Sequence, residues 1–119
     1  VRVLVCGSRD ADPSLEAELI EVLCDINAGD PLTAIIHGGA PGPDRWGSKF
    51  ARRLGIEEVT VLAFWGRYGG RAGPIRNQQM IDEYAPDRVV AVWDGKSRGT
   101  ADMIRRAEKA SLPVSIIRG

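Results

Sequence analysis

The sequence predicts an α/β protein, a doubly wound sheet of about five parallel strands with helices on both faces. Three observations lead there. Short β-branched apolar runs alternate along the whole chain with stretches whose apolar residues recur at helical spacing, the pattern of a parallel sheet joined by right-handed crossovers. Glycine-rich turns follow the strands, whereas the helix-to-strand connections are plain. Residues 35–44, Ile-Ile-His-Gly-Gly-Ala-Pro-Gly-Pro-Asp, run from a buried strand through a glycine turn into a helix start. No repeat, linker or low-complexity tract interrupts the pattern, and 119 residues is the length of one domain, spanning 1–119.

Residues 1–6 are short and β-branched, a buried first strand that ends in Gly7-Ser8-Arg9-Asp10. Asp12 is placed to cap a helix over residues 13–27 and Pro13 to open it, with Leu15, Leu19, Val22, Leu23 and Ile26 as its core stripe. Gly29-Asp30-Pro31 stops that helix. Residues 33–37 form the second strand, and Gly42-Pro43-Asp44 opens a helix with Trp46, Phe50, Ala51 and Leu54 on its apolar side and Gly55 at its end. Gly47 in that helix costs about 1 kcal/mol relative to alanine, which calls for close packing or close ligand approach. Residues 58–63 are the third strand. Residues 64–73 read as a turn too long for a routine strand-to-helix connection, and long ordered loops of this kind carry function. A helix follows over residues 74–84, with Ile75, Met80, Ile81 and Tyr84 apolar and Arg76 in its first turn. Arg88–Trp93 is the fourth strand, Thr100 caps a helix carrying Met103, Ile104, Ala107 and Ala110, and residues 113–118 are the last strand.

The zero formal net charge argues against a protein held to nucleic acid mainly by phosphate neutralisation. The only lysines are Lys49, Lys96 and Lys109; the remaining cations are arginines, whose planar forks match phosphate and carboxylate. Genome composition produces the same bias, so position has to decide. No apolar run approaches the roughly 18 residues of a membrane span, and no basic segment leads into a signal-peptide-like stretch. Cys6 and Cys24 are too few for a disulfide scaffold and are expected as reduced, buried thiols in a cytoplasmic protein.

In a parallel α/β sheet every strand-to-helix loop lies at the carboxyl edge, where ligands bind near the point at which strand order reverses. Here each such loop carries glycine, and most carry arginine: Gly7-Ser8-Arg9, His37 to Asp44, Gly69 to Asn77, and Gly95 to Thr100. Helix starts offer free N–H groups and a favourable dipole to an anion, and Gly38, Gly39 and Gly42 let the backbone approach one closely. Arg76 presents a fork suited to phosphate. Arg9 and Arg98 read equally as phosphate contacts or surface charge. Ser8 and Thr100 read as phosphate donors or as caps, and Asn77 as a ribose contact or a tie within its own loop. His37, the only histidine, is an acid–base candidate or a structural residue at a strand end. Asp44 is suited to ribose hydroxyls or to complementing the helix dipole. Trp65 and Tyr68 are placed to stack on a base, whereas Trp46 and Trp93 belong to the core. There is no Gly-Lys-Ser/Thr phosphate loop, no dinucleotide fingerprint after the first strand, and no cluster with zinc-ligand spacing; a magnesium ion bridging the phosphates of a nucleotide is compatible with the pattern.

Taken together, Gly7-Ser8-Arg9, His37-Gly38-Gly39-Ala40 with Gly42 and Asp44, Trp65 with Ala72-Gly73-Pro74-Ile75-Arg76-Asn77-Gln78-Gln79-Met80, and Gly99-Thr100 resemble the SLOG superfamily of Rossmann-like proteins, most closely its small YspA/YpsA-related branch. The resemblance covers nearly the whole chain. It implies a Rossmann-like sheet of order 3-2-1-4-5 and a nucleotide-related ligand at the carboxyl edge, bound by a sensor or sequestering protein. Superfamily relatives include the lonely-guy phosphoribohydrolases, which cleave nucleoside monophosphates, DNA-processing protein A, which binds single-stranded DNA, and sensors of nucleotide signals in bacterial and phage conflict. It also implies a homo-oligomer whose neighbouring subunits complete sites. The lonely-guy pattern maps its catalytic arginine onto Arg76 and its phosphate-binding threonine onto Thr100, but its acidic position falls on Met103, and Asp102 lies about 100° away around the helix. The expected ligand-binding set is therefore Gly7, Ser8, Arg9, His37, Gly38, Gly39, Ala40, Gly42, Asp44, Trp65, Gly73, Pro74, Arg76, Asn77, Arg98, Gly99 and Thr100. Arg76 and Asp44 are the candidates for catalysis should the chain be a phosphoribohydrolase, and single-stranded DNA binding is a further alternative.

Overall fold

The computed structural model describes residues 1–119. Five parallel strands form one sheet in the order β3-β2-β1-β4-β5, as expected. In chain order the elements are β1 (Arg2–Gly7), α1 (Glu16–Gly29), β2 (Ala34–His37), α2 (Pro43–Leu54), β3 (Glu57–Thr60), α3 (Trp65–Tyr68), α4 (Ala72–Tyr84), β4 (Arg88–Trp93), α5 (Arg98–Lys109) and β5 (Val114–Arg118). Successive residues of a strand face opposite sides, and the central strand β1 shows what this does. Val3 and Val5 pack with Leu19 and Leu23 of α1 and Phe50 and Ala51 of α2. Leu4 and Cys6 pack on the other face with Met80 of α4 and Met103, Ile104 and Ala107 of α5. Each fully buried large apolar side chain contributes about 1.5–3 kcal/mol, so both faces need their helices. Gly47 serves this packing rather than a ligand: a Cβ there would lie 3.2 Å from Val5 Cβ.

Several local expectations are corrected. Helix α1 is preceded by a 3-10 turn, Pro13–Leu15, which Asp12 caps by accepting from Ser14 N at 2.9 Å; Gly29 is the last helical residue, and the chain turns extended at Asp30. Cys24 sits on the exposed side of α1, so only Cys6 is a buried thiol. Leu54 is exposed at the end of α2, and Ala110 lies beyond the end of α5 in solvent. The third strand stops at Thr60, because β3 is an edge strand whose one partner, β2, ends at His37; Val61 N to His37 O, 2.8 Å, is the last bond of that ladder. The stretch after it is helical rather than looped. α3 and a 3-10 turn, Gly69–Arg71, run directly into α4, with Gly69 at φ +59° making the break. Helix α4 therefore begins at Ala72, and Arg76 sits in its second turn. Pro74 is still tolerated, since a first-turn residue needs no N–H acceptor. At α5 the capping position belongs to Ser97, and Thr100 lies inside the first turn with its Oγ1 3.3 Å from Ser97 Oγ. No helix is long and apolar enough to cross a membrane.

One polar cluster fastens the β2–β3 edge. Gly39 N donates to His37 Nδ1 at 3.0 Å, so the ring proton is on Nε2, which donates to Glu58 Oε1 at 2.9 Å. Ser48 Oγ and Arg52 Nε donate to the same carboxylate at 2.6 and 2.9 Å. The Ser48 bond chiefly, with His37 and Arg52 and against the opposing effect of burial, brings Glu58 from 4.5 down to about 2. A carboxylate depressed on folding stabilises above its unfolded value and loses that contribution as the pH falls through the folded one. Glu58→Gln is thus expected to cost about 1–2 kcal/mol at neutral pH. Urea unfolding should show the gap to the parent protein closing as the pH is taken from 4.5 towards 2.

Candidate functional site

A cavity of about 490 Å³ opens at the carboxyl edge of the sheet. All four strand-to-helix segments reach it: Gly7 and Arg9 after β1; Gly38, Ala40 and Asp44 after β2; Trp65, Gly73, Pro74, Arg76 and Asn77 after β3; Arg98, Gly99 and Thr100 after β4. Strand order reverses between β1 and β4, and Arg9 and Arg98 belong to the two segments that flank that crevice. Neither arginine has a hydrogen bond or ion pair within the chain, and both are exposed. Tyr68, by contrast, lies outside the cavity.

The start of α5 is the most anion-receptive part of the wall. Asp94 Oδ1 takes the N–H groups of Lys96 and Ser97, each at 2.8 Å, and Ala101 N bonds Ser97 O at 3.1 Å. The N–H groups of Arg98, Gly99 and Thr100 find no acceptor in the chain, and no side chain caps the helix. Free N–H groups at a helix N-terminus, where the dipole is positive, suit a phosphate.

Arg76 and Asp44 organise the opposite wall through Gly38. Arg76 Nη1 donates to Gly38 O at 3.2 Å and Val61 O at 3.3 Å, and Nε donates to Asn77 Oδ1 at 3.2 Å. Asp44 Oδ2 accepts from Gly38 N at 3.0 Å and Ala40 N at 3.2 Å. Burial pushes the Asp44 carboxyl above its ordinary value, against the pull of the Ala40 and Gly38 bonds, His37 and Arg76. Burial lowers Arg76 in turn, against the attraction of Asp44. Gly38 leaves room for the guanidinium, since a Cβ would lie 2.7 Å from Arg76 Cζ and 3.2 Å from Asp44 Oδ2 and would displace it. Two nitrogens of Arg76, making three hydrogen bonds, thus serve the protein itself, and Nη2 is the nitrogen left without a protein partner.

Four expected site residues lie off the cavity. His37 is 3% exposed and committed to Glu58 and Gly39, so it is structural. Gly39, at φ +76°, packs towards Leu62 and Thr60; Gly42, at φ +83°, packs on the carbonyls of Ser8 and Arg9. Ser8 is buried beneath the rim, its hydroxyl without a hydrogen-bond partner. Conversely, Asp102 and Met103 both face the cavity, so the helical offset did not remove Asp102 from the wall. Its carboxylate accepts from Asn77 Nδ2 at 3.0 Å, Arg105 Nη2 at 2.7 Å and Arg106 Nε at 2.8 Å. Burial works against its charge, but Arg106, Asn77 and Arg105 outweigh that and hold it below the ordinary carboxylate range. Two arginines at i+3 and i+4 from Asp102 were the sequence signal for this network. Cys6, Met80 and Met103 also line the cavity and carry no such signal; burial drives the Cys6 thiol far above its ordinary value, which keeps it neutral. Trp65 stands on the rim, 57% exposed. No three His, Cys, Asp or Glu side chains gather anywhere as a metal-ligand group.

This architecture is a Rossmann-like α/β fold. It superimposes on the X-ray structure of DNA processing protein A (DprA) from Streptococcus pneumoniae with a TM-score of 0.78 at 19% identity, over 99% of this chain and 50% of that one. The present chain thus spans half the length of that protein. No protein-family model matches the sequence. At 34% identity over 119 residues, covering 95% of this chain and 93% of the relative, the chain belongs to the same family as Gene 61 protein of Mycobacterium phage D29.

Proposed function

We propose that the protein binds a nucleotide or nucleotide-derived ligand in the carboxyl-edge cavity, as a sensor or sequestering protein of the YspA/YpsA-related branch. The observation that carries this reading is the uncapped start of α5, three free N–H groups beside the unpaired Arg9 and Arg98. The phosphate belongs in that crevice and the base towards Trp65, whose exposed ring is free to stack. A magnesium ion, where one is used, enters on the ligand's phosphates. Titration calorimetry with AMP, ADP-ribose, NAD and cyclic nucleotides is expected to find a ligand whose affinity falls at least about tenfold in Arg98→Glu and in Arg9→Glu. Absence of binding across that panel would overturn the reading.

Hydrolysis of a nucleoside monophosphate is the second reading, favoured by two carboxylates on the cavity wall, Asp44 and Asp102, with Arg76 close by. Free base released during the same titrations would establish it. Single-stranded DNA, suggested by the name of the DNA processing protein, is disfavoured by the zero net charge; a salt-dependent shift of a labelled oligonucleotide would revive it. The working form we propose is a homo-oligomer.

A further inference from the structure

Five of the seven exposed large hydrophobic residues fall in one stretch: Leu62, Phe64, Trp65, Tyr68 and Ile75, 38–61% exposed. Concentration of exposed apolar surface on one face marks an interaction site. Behind the cavity wall formed by Trp65 and Gly70, the same α3–α4 segment borders a groove of about 250 Å³, lined by Leu62, Phe64, Tyr68 and Ile75. The groove also carries charge: Arg67 in α3 and Arg76, which is hydrogen-bonded within the chain, towards the start of α4, and Glu83 near its end. Arg67 and Glu83 are the two free to meet a partner. Neither is used in an ion pair, and Asp82 and Arg71 on the adjoining surface repeat the arrangement, basic near the start of α4 and acidic near its end.

From this we infer that the groove seats a second copy of the chain, with the two α4 helices antiparallel about a two-fold axis. Ile75 and Glu83 are separated by about 12 Å along the helix. An antiparallel pair therefore sets the basic end of each copy against the acidic end of the other. A two-fold interface must be complementary to itself, and this face is, in charge as well as in apolar surface; it also opposes the two helix dipoles. A ligand or peptide of one charge sign would satisfy only one end of the groove. Arg76 lines both groove and cavity, so the partner copy braces the wall on which the nucleotide site is built. The inference rests on the homo-oligomer reading and not on the identity of any ligand.

Sedimentation velocity without nucleotide tests it. The parent protein is expected to dimerise across the micromolar range, with Ile75→Arg and Phe64→Asp monomeric yet unchanged in circular dichroism. Glu83→Arg should raise the dimer dissociation constant about tenfold, and Arg67→Glu combined with Glu83→Arg should bring it back to within about threefold of the parent value, because the ion pairs re-form with signs exchanged. A parent protein monomeric at every concentration would overturn both this surface and the homo-oligomer reading. A dimer insensitive to all four variants would overturn this surface and leave the homo-oligomer reading standing. Neither result bears on the calorimetry.

Discussion

Arg76→Ala is expected to destabilise the protein by about 3 kcal/mol, because three hydrogen bonds are lost and the buried Asp44 carboxylate is left without its nearby cation. The loss should depend on pH with a definite sign. Folding raises the Asp44 value, so the ionised form opposes folding at neutral pH and that cost is relieved as the pH falls. Removing Arg76 takes away an attraction that favours the ionised form. The deficit is therefore largest at neutral pH and shrinks on acidification, as urea unfolding at a series of pH values would read. Gly38→Ala should mimic the loss, since its methyl group occupies the place of the guanidinium. In the Arg76→Ala background the same alanine should cost less than about 1 kcal/mol, a non-additivity that a double-mutant cycle measures directly. Full additivity would mean that Gly38 is required for some other reason.

Asp102→Ala should cost about 2 kcal/mol, by taking an acceptor from the buried Asn77 and the half-buried Arg106 at the α4–α5 seam, while the exposed Arg105 turns to water. The deficit again shrinks on acidification, but for a different reason: Asp102 stabilises when ionised, whereas ionised Asp44 opposes folding. Folding depresses the Asp102 value, so its contribution is present above the ordinary carboxylate range and is lost as the pH falls through the folded value. The variant should approach the parent protein in acid. Asp102→Asn keeps the shape and should fall between the two. The effect should also reach the α5 start, because Asn77 Nδ2 donates to Gly99 O at 3.2 Å as well as to Asp102. Weaker nucleotide binding in Asp102→Ala with Arg9 and Arg98 intact would measure how far that seam positions the free N–H groups.

Much of the carboxyl edge could be read from residue order. Gly7 ends a strand, Arg9, Gly38, Asp44, Arg76, Asn77 and Thr100 follow strands, and in a parallel sheet every such segment is delivered to the same edge. The residues that lie off the cavity are those whose local chemistry has two outlets. His37 is a strand-end histidine that a carboxylate on the next strand turned away from the cavity, and Gly39 and Gly42 bend the loop for packing rather than for a ligand. The glycines of residues 64–73 suggested a loop, but a single positive φ at Gly69 was enough to separate two helical turns. The angular offset between Asp102 and Met103 does not take either off the wall, because a wide cavity beside α5 accommodates two adjacent helical positions.

Sequence alone determined the α/β class, the succession of strands and helices, and the edge on which glycine and arginine collect, because backbone periodicity and turn chemistry are local properties. Resemblance added the order of the strands. Only the tertiary structure decided which polar groups are spent inside the protein and which are left for a partner. Arg76, Asp44, Asn77 and His37 bond residues brought to them by other elements, whereas Arg9, Arg98 and the first N–H groups of α5 remain unanswered. That division depends on distances between segments far apart in the chain, which no reading of neighbours along it supplies.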